Sequence, residues 1–177
     1  AGVLVLGPLL AKYRTAKVPL PGGCAIGSRP IDLHLNALIK MGARIKIRNG
    51  YVIASTKKGL KGCTIRFPKI SVGATENILI AACCANGETK LRNCALEPEI
   101  DDLINFLKKL GCKIKRIGKR SINILGVEEL KPVAHKVIFD RIETGTYIIT
   151  AALTKGQLKI KNINPKIIST EIRVLHK

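Results

Sequence analysis

Aromatic side chains are scarce: Trp is absent, and three Phe and three Tyr make up 3% of the 177 residues. That leaves little material for stacking against unpaired bases. Acidic residues are few as well, 12 against 31 Lys and Arg, for a formal net charge of +19. The basic residues are spread along the whole chain and no nucleic-acid motif accompanies them, which argues against nucleic acid as the partner. A diffuse positive field suits small anionic substrates equally well. No apolar run reaches the roughly 18 uninterrupted residues of a membrane-spanning helix, so no membrane span is expected. The apolar start, residues 1–11, has neither a basic flank nor a cleavage signature and does not read as a secretory signal. It also lacks an initiator Met, so either processing has removed one or the chain begins inside a longer protein. The six cysteines, Cys24, Cys63, Cys83, Cys84, Cys94 and Cys112, form no Cys-x-x-Cys pair and have no histidine at metal-ligand spacing. A zinc site and a disulfide scaffold are thereby disfavoured, and a reduced cytoplasmic setting fits.

Against this background one stretch stands out, residues 21–34, with Pro21, Gly22, Gly23, Gly27 and Pro30 around Cys24 and Arg29. The Pro and Gly breaks place Cys24 on a loop, whereas Cys83, Cys84, Cys94 and Cys112 fall in apolar segments, where a free thiol behaves as a small hydrophobe. Ser28 or Asp32 is expected to cap the helix that follows, with Pro30 in its first turn. A helix start offers free N–H groups to an anion, and Arg29 lies beside it. Read from the residues alone, the stretch is equally a Gly/Pro surface loop with an incidental thiol.

Apolar spacing predicts a helix over 2–13 with a break at Gly7-Pro8, an extended segment over 17–20 and a helix over 29–41. The apolar face of that last helix is Leu33, Ala37, Leu38 and Met41. A hairpin follows (44–47 and 51–55) around Arg48-Asn49-Gly50, then a polar connection over 57–62 and a strand over 63–67. A nearly all-apolar helix over 73–85, a strand over 89–93 and a helix over 97–110 come next, and a second hairpin spans 113–117 and 121–125. The pattern recurs 69 residues on: Gly42 with Gly111, Thr75 with Thr144, Ala82 with Ala151, and Gly87-Glu-Thr-Lys-Leu-Arg-Asn93 with Gly156-Gln-Leu-Lys-Ile-Lys-Asn162. Stacked copies of one α/β unit, each needing neighbours to bury its apolar face, follow from such a repeat. The Cys24 loop is an insertion in one copy, a common place for function.

Several blocks together carry a resemblance. They are Gly7-Pro-Leu-Leu-Ala11, Leu20-Pro-Gly-Gly-Cys-Ala-Ile-Gly27, Arg29-Pro-Ile-Asp-Leu-His34, Ser71-Val-Gly-Ala-Thr-Glu-Asn77, Glu97-Pro-Glu99 and Asp140-Arg-Ile-Glu-Thr-Gly-Thr146. In this order and spacing the sequence resembles the UDP-N-acetylglucosamine 1-carboxyvinyltransferases, of the enolpyruvyl transferase family, over nearly the whole chain. The resemblance implies an α/β fold of repeated βαβαββ units, an inside-out α/β barrel that is here incomplete. Residues 1–139 would make up most of the first domain and residues 140–177 the truncated start of the second.

The implied reaction, the first committed step of peptidoglycan synthesis, moves the enolpyruvyl group of phosphoenolpyruvate to the 3-hydroxyl of UDP-N-acetylglucosamine and releases phosphate. It implies no cofactor and no metal. Cys24 would be the general acid and the residue alkylated by fosfomycin, its pKa lowered by the helix start and Arg29. Arg29, Pro30, Ile31, Asp32 and Leu33 would form one nucleotide-contact run, with Arg29 gripping phosphate or carboxylate. Lys69, Ile70, Ser71 and Val72 would form a second. Asp140, Arg141 and Glu143 match a block near the domain crossover, where hinge and site roles both remain open. Glu97 and Glu99 read as helix-start charges, and His34, His135 and His176 are assigned no catalysis.

The sequence departs from the family at Leu96, where an arginine is usual. The family's N-terminal Lys-Asn pair, an arginine just before the point matching Ala1, the aspartate facing the sugar hydroxyl and the arginine that binds phosphoenolpyruvate are absent. A one-walled cleft cannot assemble the transition-state constellation, so the chain alone is expected to show no turnover, its missing wall supplied by the remainder of the enzyme. The last expected helix contains Lys177, leaving Ile167, Ile168, Ile172 and Leu175 without an evident partner and predicting aggregation or disorder there. The alternative class is a non-enzymatic basic binding module or a decayed gene product.

Overall fold

The apolar segments become the packed elements of the computed structural model, which describes residues 2–22 and 30–175. A 3-10 turn, Gly2–Val5, runs into α1 (Leu6–Tyr13), and β1 (Thr15–Pro19) follows. Next come α2 (Asp32–Lys40), β2 (Arg44–Arg48), β3 (Tyr51–Ser55) and β4 (Thr64–Arg66). The run continues with α3 (Val72–Cys83), β5 (Glu88–Arg92), α4 (Pro98–Lys109), β6 (Lys113–Arg116) and β7 (Ser121–Leu125). The expected break at Gly7-Pro8 is absent. The change from 3-10 to α geometry comes before Leu6, and Pro8 sits in the first helical turn, where its missing N–H leaves no bond unmade.

The chain divides at Ala134/His135 into two units. In the first, β3 lies between β1 and β2, antiparallel to both, and the second sheet has the order β4-β5-β7-β6 with only β4 and β5 parallel. Both sheets flank a helical centre. Helix α3 buries Ala74, Thr75, Asn77, Ile78, Leu79, Ala81, Ala82 and Cys83 and packs on α1, α2 and α4. Fully buried Leu6, Leu10, Leu38, Ile78, Leu79, Ile100 and Ile122 anchor this core, each worth about 1.5–3 kcal/mol of apolar burial. Cys83, Cys94 and Cys112 are buried, as their apolar surroundings imply. The outward face of the first sheet carries Lys17, Arg44, Lys46 and Arg48, and the Lys17 ammonium lies 4.6 Å from the Tyr51 ring centroid.

The second unit holds α5 (Arg141–Leu153), a 3-10 turn (Pro165–Ile168) and α6 (Ser169–Leu175). The repeat is visible in its details. Ser71 caps α3 and Asp140 caps α5, and the Thr75 and Thr144 hydroxyls each donate back to the cap carbonyl, at 2.7 and 2.8 Å. Gly42 and Gly111 both turn the chain at positive φ, 95° and 103°, a region open to glycine at no steric cost. Residues 158–162, which the 69-residue repeat matches to the strand expected over 89–93, form no strand. Their counterpart β5 is held by β4 on one side and β7 on the other, and no described residue pairs with this segment. The expectation for Ile168 is also corrected: it is fully buried, while Leu175 is exposed.

Candidate nucleotide-sugar site

Helix α2 starts at Asp32, two residues later than Pro30 in the first turn would require. The residue before it, Ile31, holds a non-helical conformation, and its carbonyl accepts the N–H groups of His34 and Leu35 at 3.0 and 3.1 Å. Asp32 therefore does not cap the helix, and the other expected cap, Ser28, lies outside the described residues. Asp32 is an exposed first-turn carboxylate, favourably placed against the positive end of the helix dipole. The buried face also differs from expectation by one residue. His34, Ala37, Leu38 and Met41 are buried and Leu33 is only half-buried, which is the i, i+3, i+4, i+7 series with a histidine in its first slot.

The second run enters α3 differently. Lys69 and Ile70 are exposed, and Ser71 turns the chain in an extended conformation. The Ser71 hydroxyl accepts the Ala74 N–H at 3.2 Å, and its carbonyl accepts the Thr75 N–H at 3.0 Å and hydroxyl at 2.7 Å. Thr75 Oγ1 accepts in turn from the Ala95 N–H at 3.2 Å, which ties the helix start to the chain before α4. The cap uses the donor of Ala74, so the N–H groups of Val72 and Gly73 have no intrahelical acceptor.

One buried amide joins the two runs. Asn77 on α3 is fully buried. Its Oδ1 accepts the Gly7 N–H at 2.9 Å, and its Nδ2 donates to the Val3 carbonyl at 3.0 Å and to His34 Nδ1 at 3.0 Å. The ring of His34 also packs against Gly73. The starts of α2 and α3 thus lie at the same end of the bundle, with Asp32 and Leu33 on one and Ser71 and Val72 on the other. Burial pushes the His34 pKa below its usual value, against a smaller upward pull from the Asp32 carboxylate. Cys24 and Arg29 lie outside the described residues.

A groove of about 820 Å³ lies at the other end of α1 and α3, lined by Lys12, Arg14, Lys58, Ile80, Cys84 and Glu128 among others. It faces the negative ends of both helix dipoles and includes none of the expected site residues. A dianionic ligand is better served by the N-terminal end.

The pattern of the EPSP synthase (3-phosphoshikimate 1-carboxyvinyltransferase) family matches residues 1–177. The chain belongs to that family. Among curated members it is 63% identical over 177 residues to the UDP-N-acetylglucosamine 1-carboxyvinyltransferase of Pelagibacter ubique, covering 100% of this chain and 42% of that protein. It is 53% identical to the enzyme of the same name from Rickettsia akari, over 98% of this chain and 43% of that one. The chain thus spans less than half the length of these relatives.

Two solved structures share the fold. The enolpyruvyl transferase NikO from Streptomyces tendae superposes with a TM-score of 0.69 at 24% identity, over 82% of this chain and 35% of that one. An EPSP synthase from Acinetobacter baumannii gives 0.65 at 26% identity, over 85% and 34%. The α/β fold read from the repeat and the blocks is therefore that of the enolpyruvyl transferases, in part.

Sequence reading missed the link between the two runs. His34 shares no metal-ligand spacing with the other histidines, and Asn77 is only the last residue of the Ser71–Asn77 block. The available signal was a histidine in an apolar slot of α2 and an asparagine inside an otherwise apolar α3.

Proposed function

We propose that this chain carries the nucleotide-sugar side of an enolpyruvyl transferase site, and that the enzyme it serves moves the enolpyruvyl group of phosphoenolpyruvate to the 3-hydroxyl of UDP-N-acetylglucosamine. The juxtaposition of the α2 and α3 starts carries the reading, because each start bears one of the two runs expected to contact the nucleotide. The names of the relatives supply the substrate class. On this reading Pro30, Ile31, Asp32 and Leu33 contact the nucleotide from the α2 run and Lys69, Ile70, Ser71 and Val72 from the α3 run. Arg29 grips phosphate or carboxylate, and the N–H groups at the α3 start serve the diphosphate.

In the reaction the sugar hydroxyl loses its proton to a base as its oxygen bonds to the central carbon of phosphoenolpyruvate, whose methylene carbon takes a proton. Loss of phosphate and of a proton from the resulting methyl group then regenerates the enol ether. Cys24 is the candidate donor of the proton that the methylene carbon takes. On the same reading residues 140–177 begin a second domain; the chain divides nearby, at Ala134/His135. The reading carries with it a cytoplasmic enzyme of peptidoglycan synthesis and a fosfomycin-reactive thiol. No described helix is long and apolar enough to cross a membrane.

The experiment is a melting-temperature titration with UDP-N-acetylglucosamine, paired with the rate of Cys24 alkylation by iodoacetamide. A ligand at a hundred times its Kd adds about 2.7 kcal/mol of stability, so a clear rise and slower alkylation are expected, with no phosphate released by the chain alone. Salt-dependent affinity for nucleic acid, with no response to the nucleotide sugar, would replace this reading by a basic binding module.

A further inference from the structure

The four cations on the outward face of the first sheet come from separate parts of the sequence, position 17 and positions 44–48, and the fold gathers them. The strand order β1-β3-β2 puts Lys17 on one outer strand and Arg44, Lys46 and Arg48 on the other. Between them β3 presents Tyr51, Ile53 and Ser55, in register with Arg48, Lys46 and Arg44. Lys17 faces Ile53 from the opposite side. Every outward position of the three strands is exposed, and none is Asp or Glu.

Alternation along β2 sets its three cations about 7 Å apart, and two strand spacings set Lys17 about 10 Å from Lys46. At moderate salt the Debye length is about 8–10 Å, so these charges repel one another. Among the described residues no ion pair or side-chain hydrogen bond relieves them, and only Lys17 is engaged, over the Tyr51 ring. The second sheet differs. Its outward face holds the Glu88 carboxylate, 3.2 Å from the Lys90 ammonium, between the strands that carry Arg66 and Lys113.

We propose that the outward face of the first sheet docks on an anionic phospholipid bilayer. The binding is peripheral and stands apart from the nucleotide-sugar reading. Lipid phosphates lie against the cations of the two outer strands. Tyr51 and Ile53 on the middle strand dip into the headgroup layer, which favours both an aromatic ring and an apolar tip. Two observations favour lipid over other polyanions. No hydrogen bond holds the four cations in a fixed geometry, which suits mobile headgroups better than the set spacing of a folded acidic partner. Tyr51 is the one aromatic among these positions and Lys17 covers its ring on one side, which leaves little for base stacking.

The test is co-sedimentation of the full 177-residue chain with vesicles of equal parts phosphatidylcholine and phosphatidylglycerol, against phosphatidylcholine alone. Each cation brought to an anionic surface contributes about fivefold to partitioning. The triple variant Arg44→Gln, Lys46→Gln, Arg48→Gln should bind the mixed vesicles about a hundredfold more weakly on that scale. Arg66→Gln, Lys113→Gln, Lys115→Gln lowers the net charge equally on the second sheet and should keep parental binding. Ile53→Thr should weaken binding several-fold with every cation in place. The altered side chains are exposed, so a thermal scan should find all three variants near the parent melting temperature. Lys17→Gln with Lys46→Gln, a loss of about thirtyfold, replaces the first triple should that one melt lower.

Binding to the mixed vesicles alone, lost with the β2 cations and kept in the charge-matched control, is the expected result. No binding to the mixed vesicles, equal losses in the two triple variants, or unchanged binding by Ile53→Thr would overturn the proposal. Tighter binding of a single-stranded oligonucleotide or of polyglutamate, lost with the same β2 cations, would also overturn it and assign the face to a nucleic acid or an acidic protein.

Discussion

Removing the Asn77 side chain should be the most damaging single truncation at the candidate site. Asn77→Ala takes away three hydrogen bonds at once and leaves the Gly7 N–H, the Val3 carbonyl and His34 Nδ1 without their partner. Each lost bond is worth about 1 kcal/mol net, and a donor or acceptor left buried costs about 1–3. Gly7 is buried and bears the full cost, while Val3 is half-buried and can recover part of its loss from water. A destabilisation of about 3–5 kcal/mol follows, a large share of the 5–15 kcal/mol typical of a domain. Urea unfolding followed by circular dichroism reads this as a fall in midpoint at unchanged slope. A loss below about 1 kcal/mol would refute the account of the network.

Asn77→Asp sharpens the test because it changes the proton balance. In the parent protein the His34 pKa is lowered by burial, against the opposing pull of Asp32. The unfolded chain therefore binds the extra proton more readily, and parental stability falls as pH drops through the ordinary histidine value of about 6.5. An aspartate at 77 still accepts from Gly7, but its second oxygen faces Nδ1 and demands a proton there. The folded His34 pKa then rises above its unfolded value. The contribution of His34 is present below about pH 6.5 and is lost as pH climbs through the raised value. The two stability profiles should slope in opposite directions between about pH 5 and 7, and parallel profiles would sink the argument.

Two further changes probe the surroundings. Gly7→Ala would drive a methyl group into the Asn77 oxygens, within 2.6 Å of its backbone carbonyl, and should cost about 1–3 kcal/mol as overpacking, again read by urea unfolding. Glu76 has its pKa raised by burial first and by the Glu99 carboxylate second, so folding favours its protonated form and stability declines as pH rises above its ordinary value. Glu76→Gln should therefore melt higher than the parent at pH 7 and level with it near pH 4, as a pair of thermal scans would show.

The legible part of this fold was the periodic part. The i, i+1, i+4 spacing of Ala37, Leu38 and Met41, the alternation in Tyr51–Ser55 and the Gly42 and Gly111 stops are local signals, and the elements follow them closely. The repeat of the 89–93 strand at 158–162 fails for a physical reason. A strand is a pairing relation, and β5 owes its form to partners on both edges more than to the Glu88-Thr-Lys-Leu-Arg92 sequence that residues 156–162 imitate. The cap and hydroxyl bonds at Asp140 and Thr144 reappear unaided because they close within one helical turn. Local devices are copied with the sequence, and long-range ones are copied only where their partners are in place.

The same distinction explains what was missed at the site. The two candidate nucleotide runs are legible as blocks, but Lys69 lies 36 positions after Leu33, and nothing local says that they meet. What brings them together is Asn77, a polar residue in the middle of an apolar helix, which local reading counts only as an interruption. A buried amide with three partners on two other segments is costly to leave half-satisfied. It therefore selects one placement of Val3, Gly7 and His34 around α3, and a helix filled with Ile and Ala alone would tolerate several. On this view the polar break in α3 sets the separation of the two anion-facing helix starts, and a substitution that preserved apolar packing but erased the amide would loosen the site before it unfolded the chain.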